Sequence, residues 1–413
     1  MVKNYQDEPE LRFPGFNDSW NVERIKDVAN VVGGGTPKTD NEIFWDGDIN
    51  WFTPTEIGKK YVYESKRKIT EEGLKKSSAK LLPENTILLS TRATIGEVSI
   101  SKNKTTTNQG FQSLVVKDNY DNEFIYYLIQ LLKNDMIRLS SGSTFLEISK
   151  KEVENINIKI PCVEEQNKIA SFFGAIDKKI ELLEKKHKLY QDFKKYSLQQ
   201  IFTFNLRFKD SDGKNYGEWK RILLKDADII ISDGNYGEAY PKEKDFKKEG
   251  IPFIRAVNIE NSKLTFHDMK YISKSLHNNL LQGHLNENDI LITTRGDIGL
   301  VAYVTKDFEN SNINAQICLL RVYDNNINPK YLFYLLTTPY VQEQLLKFQT
   351  GSALKQLPKN NLKNLKLLFP CYEEQTKIAD FLVEIDNSIN LIQNTIIRMC
   401  DFKKSLLQKM FVK

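Results

Sequence analysis

The sequence predicts an α+β chain built twice: two tandem α+β domains, each followed by a long helix, with the two helices pairing as an antiparallel coiled coil about a pseudo-twofold axis. Three observations predict it. Residues 161–202 and 370–411 align without a gap at an offset of 209, and 20 of the 42 positions are identical. Both segments carry apolar residues in alternating steps of four and three, the seam of a coiled coil. Upstream of each, short strand-like runs alternate with turns and close on a helical stretch. The boundaries follow the repeat: domains at 1–160 and 206–369, helices at 161–205 and 370–413.

In the first domain the apolar runs at 86–90 and 113–116 read as strands, 124–139 as a helix, and 156–160 as a last strand leading into the long helix. The second domain repeats this with strands at 289–293 and 365–369 and a helix at 331–348. There Asn328 suits the cap and Pro329 the first turn. Fainter echoes tie the domains together, among them Leu11-Arg12-Phe13 with Leu206-Arg207-Phe208, Trp20 with Trp219, and STRATIGEV from Ser90 with TTRGDIGLV from Thr293. Each long helix opens on a proline, Pro161 or Pro370. An acidic pair follows, Glu164-Glu165 or Glu373-Glu374, where the helix dipole favours negative charge. The seam runs through Ile169, Phe173, Ile176, Ile180 and Leu183, then through Ile378, Leu382, Ile385, Ile389, Ile392, Ile396 and Met399. About 39 helical residues at ~1.5 Å each give a rod of roughly 58 Å. His187 and Lys194 interrupt the first seam where the second has Ile396 and Lys403, and a lone histidine there suits a register-setting or snorkelling residue.

Composition narrows the classes. Hydrophobic residues at 40% and charged residues at 27% describe a folded chain and exclude wholesale disorder. Lys plus Arg at 59 against Asp plus Glu at 54 leaves +5, which permits a nucleic-acid partner without requiring one. The densest basic clump is Lys66-Arg67-Lys68. Cysteines at 162, 318, 371 and 400 form no CxxC pair, so no ligand-spaced zinc cluster is expected and a reducing cytoplasm is. The polar, acidic N-terminus is not expected to be a signal peptide, and no run of 18 apolar residues suggests a membrane span.

Catalytic patterns are weak or missing. Gly33-Gly34-Gly35 runs into Thr36-Pro37, which suits a tight turn better than a cofactor cradle. Asn328-Pro329-Lys330-Tyr331 lacks the second proline of an amino-methyltransferase loop. Asp48 with Glu64-Ser65-Lys66 has the letters of a metal-dependent nuclease, a match that chance supplies in a chain this rich in acids and lysine. No GxxxxGK[ST] and no HExxH occur. The expectation is a non-catalytic chain with no metal and no cofactor of its own.

The residues now carry a resemblance. The repeated PCxEEQxKIAxF…IDxxI…DFKKxxLQxxF segments, the ELRFPGFNDSW opening followed by GGGTPK, and the paired TRATIG and TRGDIG segments resemble the specificity subunits of type I restriction-modification systems over essentially the whole chain. The resemblance implies two target-recognition domains, each reading half of a bipartite, asymmetric site on double-stranded DNA. It implies helices that fix the gap and dock two methyltransferase subunits using S-adenosylmethionine. It further implies two motor-endonuclease subunits using ATP and Mg²⁺, or a modification-only complex without them. The alternative is a coiled-coil scaffold joining two protein-binding domains without DNA recognition.

Backbone and base contacts call for Lys, Arg, Ser, Thr, Asn and Gln. Candidates for DNA in the first domain are Thr36, Lys38, Thr91, Arg92, Lys104, Asn108, Gln109, Ser143 and Thr144. In the second they are Asn235, Tyr236, Arg255, Thr294, Arg295, Asn314, Gln316, Ser352 and Lys355. Arg92 and Arg295 recur in both copies, which suits a shared phosphate contact or scaffold salt bridge. Arg255, without an evident counterpart, is the better candidate for specificity. For the partner subunits, an outward face of each helix is expected, with Glu165, Gln166 and Lys168 on the first and Glu374, Gln375 and Lys377 on the second.

Overall fold

The computed structural model describes residues 8–142, 146–234, 240–351 and 355–412. They form two compact units, Met1–Glu184 with Asn394–Lys413, and Lys185–Gln393. The compact units therefore cut each long helix near its middle, whereas the repeat sets the helices apart as segments of their own.

In the first unit a five-stranded sheet has the order Ala29–Gly33, Gln112–Val116, Ile87–Leu89, Val98–Ser101, Tyr61–Val62. Beside it, Trp45–Phe52 lies between Arg67–Ile69, antiparallel, and Thr105–Thr107, parallel. Ile87–Leu89 is buried on both faces, which explains its unbroken apolar run. Asn21–Arg24 pairs with Asn157–Ile160 just ahead of the long helix.

The second unit repeats the plan. Its larger sheet runs Ile229–Asp233, Ile317–Val322, Ile290–Thr293, Val301–Tyr303. Its smaller one sets Ile251–Ile254 between Lys270–Ile272, antiparallel, and Asn312–Ile313, parallel. Lys220–Leu223 pairs with Lys366–Phe369.

Where the sequence predicts one closing helix per domain, the structure has two. Asn122–Leu131 is followed by Lys133–Leu139, and Pro329–Leu336 by Pro339–Lys347. In the second unit the break is chemical: Thr338 caps Val341 and Pro339 can only begin a helix. The expected cap at Asn328 is present, its side-chain oxygen accepting from Lys330 N at 2.9 Å and Tyr331 N at 3.2 Å.

The long helices are Val163–Phe202 and Tyr372–Met410. Within the first unit they run antiparallel. Phe173 meets Phe411 at 6.0 Å between ring centroids, and Asp177 receives Lys403 at 2.6 Å. Leu406, Leu407, Met410 and Phe411 share one core with Trp20, Phe124 and Phe173. Within the second unit the pairing is the same in kind, with Lys194 on Asp386 at 2.7 Å and Ile201 and Phe202 in one core with Tyr331, Ile378 and Leu382. Lys194 and Lys403, the matched interruptions of the two seams, thus each reach a carboxylate of the opposite helix. Of the seam, Ile169, Phe173, Ile176, Ile378, Leu382, Ile385, Ile392 and Ile396 are buried.

Candidate nucleic-acid interface

In each unit one rim gathers most of the predicted DNA contacts, and backbone chemistry explains how. In the first unit a Cβ on Gly34 would lie 2.0 Å from the Asn108 carbonyl oxygen, and one on Gly35 would lie 2.3 Å from Ser78 Oγ. Only glycine permits that approach. Gly35 N donates to Thr107 O at 2.8 Å, and the Thr36 hydroxyl reaches the Gln109 side-chain oxygen. Two buried indoles pin the loop from below, Trp51 Nε1 on Gly35 O at 2.9 Å and Trp45 Nε1 on Lys38 O at 3.1 Å. Asn108 closes its own turn by accepting from Gly110 N at 2.9 Å. Thr91 N then donates to Gly110 O at 2.8 Å, and Ile148 N to Thr91 O at 3.1 Å, which brings Glu147 and its bridge partner Ser141 alongside. Arg92 binds Glu147 through Nε at 3.0 Å and Nη2 at 2.5 Å.

The second unit reuses the same joints. A Cβ on Gly234 would lie 2.4 Å from the Asn314 carbonyl oxygen. Asn314 N donates to Ile254 O at 2.9 Å, as Asn108 N does to Phe52 O at 3.1 Å. Thr294 N donates to Gln316 O at 2.7 Å and Leu357 N to Thr294 O at 2.9 Å. Arg295 bridges to Gln356, the position that Glu147 holds in the first unit. Arg255 does have a counterpart. It and Thr53 both follow the central strand of the smaller sheet and both open a one-turn helix with a capping box, closed by Asn258 and Glu56 respectively. The pair differs in chemistry at a matched position. Arg255 Nη2 binds Asp268 at 2.8 Å, which holds that carboxyl below its ordinary range, while Arg255 Nε is buried with no hydrogen-bond partner among the described residues.

Several predicted contacts are corrected by burial. Thr91, Thr294 and Asn314 are 0%, 7% and 3% exposed. The two threonine hydroxyls donate to Gly110 O and Gln316 O, so these residues build the turn and do not face solvent. Lys104 is exposed but sits at the far end of Thr105–Thr107 from Asn108, about 13 Å along the strand. Thr36, Lys38, Arg92, Asn108, Gln109, Arg255, Gln316 and Lys355 remain at least partly exposed on their rims. Ser143, Thr144, Asn235, Tyr236 and Ser352 lie outside the described residues. The nuclease letters Asp48, Glu64 and Lys66 are all exposed.

The partner face needs a larger correction. Glu165, Gln166, Glu374 and Gln375 are at most 1% exposed and point into their own units. Arg12 grips Glu165 at 2.8 Å and Arg207 grips Glu374 at 2.7 Å, and the carboxylates hold both guanidinium pKa values above their ordinary range. Gln166 donates to Pro161 O at 2.9 Å and accepts from Asp121 N at 2.9 Å. Gln375 repeats both bonds, on Pro370 O at 3.0 Å and from Asn328 N at 2.9 Å. Only Lys168 and Lys377 face solvent. Exposed apolar side chains on the helices lie elsewhere, and some of them match at the repeat offset, among them Leu182 with Leu391 and Phe193 with Phe402, whereas Leu189, Tyr196 and Ile397 have no such match. Apolar residues off the seam at equal offset were the legible signal for them.

A family model described as Type I restriction modification DNA specificity domain matches the chain twice, over residues 17–189 and 216–398. The MjaIX specificity subunit of a type I restriction enzyme from Methanocaldococcus jannaschii is 27% identical over 406 residues, spanning 95% of this chain and 92% of its own. The EcoprrI specificity subunit of Escherichia coli is 26% identical over 381 residues, 89% of this chain and 88% of its own. Among solved structures, the S subunit of a type I restriction-modification system from M. genitalium aligns over 98% of this chain and 99% of its own, with a TM-score of 0.61 at 16% identity. Among the described residues no helix is long and apolar enough to cross a membrane, and no group of three His, Cys, Asp or Glu could hold a metal ion.

Proposed function

The chain belongs to the type I restriction-modification DNA specificity family, and from that premise we propose that each unit reads one half of a split, asymmetric DNA site. The observation that carries the proposal is the rim built twice on the same hydrogen bonds with different side chains at its tips. Thr53 answers Arg255, Glu147 answers Gln356, and Gly110 answers Gln316. Phosphate contacts can be shared between copies, whereas residues that read different bases must differ.

The long helices set the unread gap in this reading. The paired exposed side chains Leu182 and Leu391, and Phe193 and Phe402, support docking of two like methyltransferase subunits, because equal apolar positions on two helices suit two copies of one partner. Methyl transfer with S-adenosylmethionine, and cleavage and translocation with ATP and Mg²⁺, belong to the partners. This chain chooses the sequence.

The test is genome-wide N6-methyladenine mapping in the host with and without the gene. Loss of one split motif on deletion is the expected result, and an unchanged map in a methylating strain sinks the proposal. Inserting or deleting a heptad between Ile180 and Ile201 is expected to change the gap and leave both half-sites intact.

A further inference from the structure

Arg67 opens the strand Arg67–Ile69 and lies directly opposite Trp51. A bulge in the partner strand between Trp45 and Ile49, with Asp46 at φ 59°, swings Trp45 round beside it. The guanidinium carbon sits 3.6 Å from the Trp45 ring centroid and 5.8 Å from that of Trp51. The two indoles are buried and meet edge to face at 5.0 Å. They are the same indoles whose N–H groups hold Gly35 and Lys38, so the platform under Arg67 is also the floor of the rim.

Arg12, Arg92, Arg207, Arg255 and Arg321 each grip a carboxylate. Arg67 is exposed, and among the described residues its guanidinium has no hydrogen-bonded or ion-paired partner. Stacking fixes the plane of the fork and leaves its donors free along the edge. In the second unit the matched position is Lys270, opposite Phe253 and 3.8 Å from Glu243. A planar fork in one copy is replaced by a point charge in the other.

We propose that Arg67 is a specificity-determining residue of the first unit and reads a guanine, through its adjacent N7 and O6 acceptors, in the major groove of that unit's half-site. The inference rests on the DNA-reading function proposed above. A bidentate contact of this kind discriminates against other bases by roughly 5- to 150-fold.

The experiment maps N6-methyladenine in host cells carrying the wild-type chain, Arg67→Ala or Arg67→Lys. It then measures binding of each purified chain to duplexes bearing the mapped motif across a salt series. Thermal unfolding checks that the exposed substitution leaves the fold intact. The expected result is relaxation at a single G·C position in one half-site, with the other half and the gap unchanged. Arg67→Lys is expected to lose the same discrimination although it keeps the charge. An unchanged motif with uniformly weaker binding and a salt slope lower by about one means a phosphate contact and overturns the inference. An unchanged motif with unchanged binding overturns it as well. A wild-type map without any split motif overturns the DNA-reading proposal itself, a failure visible before Arg67 is touched.

Discussion

In the first unit Asp177 is held by Tyr127 at 2.5 Å, by Lys403 at 2.6 Å, and more loosely by Lys60 at 3.7 Å. In the second, Asp386 takes Tyr334 at 2.7 Å and Lys194 at 2.7 Å, while Lys263, the match of Lys60, turns to Asn390. The same comparison at Glu165 and Glu374 gives matched arginine grips, but Trp219 Nε1 adds a bond to Glu374 at 3.2 Å, whereas Trp20 Nε1 is buried with no hydrogen-bond partner among the described residues. The frame is thus conserved between the units down to individual bonds, and its spare bonds are distributed differently. At the rims the relation reverses: backbone joints agree and side chains diverge. A duplicated reader keeps what positions the tip and varies the tip.

Removing the arginine grips gives the largest expected effect. Arg12→Ala leaves Glu165 buried with its charge uncompensated, which costs about 3–5 kcal/mol. Arg207→Ala is expected to cost less, because the Trp219 indole still donates to Glu374. Denaturant unfolding of the two variants side by side checks this. Equal losses would mean that the extra indole bond contributes nothing.

Next come the lysine clasps between the helices. Lys194→Met takes the charged donor from Asp386, a loss of about 1.5–3 kcal/mol for a charge-assisted bond. Lys403→Met is expected to cost less, since Lys60 stands 3.7 Å from Asp177 and can replace the lost charge. If Lys403→Met proves the more damaging, the two clasps are not equivalent in the way the repeat implies.

Arg255→Thr copies the first unit's residue into the second and tests the divergent rim. Discrimination at one position of the second half-site is expected to fall by about 1–3 kcal/mol, with the first half-site untouched. Methylation mapping reads the outcome. A change in both half-sites would contradict separate reading by each unit.

Much of this architecture was legible because helix packing is local and periodic. The steps of four and three put Ile169, Phe173 and Ile176 on one face before any partner is known, and the offset of 209 paired Asp177 with Asp386 and Lys194 with Lys403. Glu165 was misread because an acid near a helix start has a sufficient local explanation in the dipole. Its real partner, Arg12, lies 153 residues away. Thr91, Thr294 and Asn314 were misread for a related reason. Whether a threonine in a turn faces solvent depends on which carbonyl it reaches across the sheet, and Gly110 and Gln316 are about twenty residues downstream of Thr91 and Thr294. The match of Arg255 to Thr53 was hidden by loop insertions that shift the offset from 202 there to 209 at the helices, while the hydrogen-bonded register makes it plain.

The smallest expected effect separates the rim from the rest of the basic surface. Lys38 stands on the loop that Trp45 and Trp51 pin, whereas Lys104 lies at the other end of a strand. Each phosphate neutralised by a lysine contributes about 0.9 to the slope of log affinity against log salt. Lys38→Ala is therefore expected to lower that slope by about one without altering the motif, and Lys104→Ala to leave it as it is. Binding of the mapped duplex across a salt series distinguishes the two. An equal fall in slope for both variants would extend the DNA path from the rim across the whole smaller sheet, and would widen the search for base contacts with it.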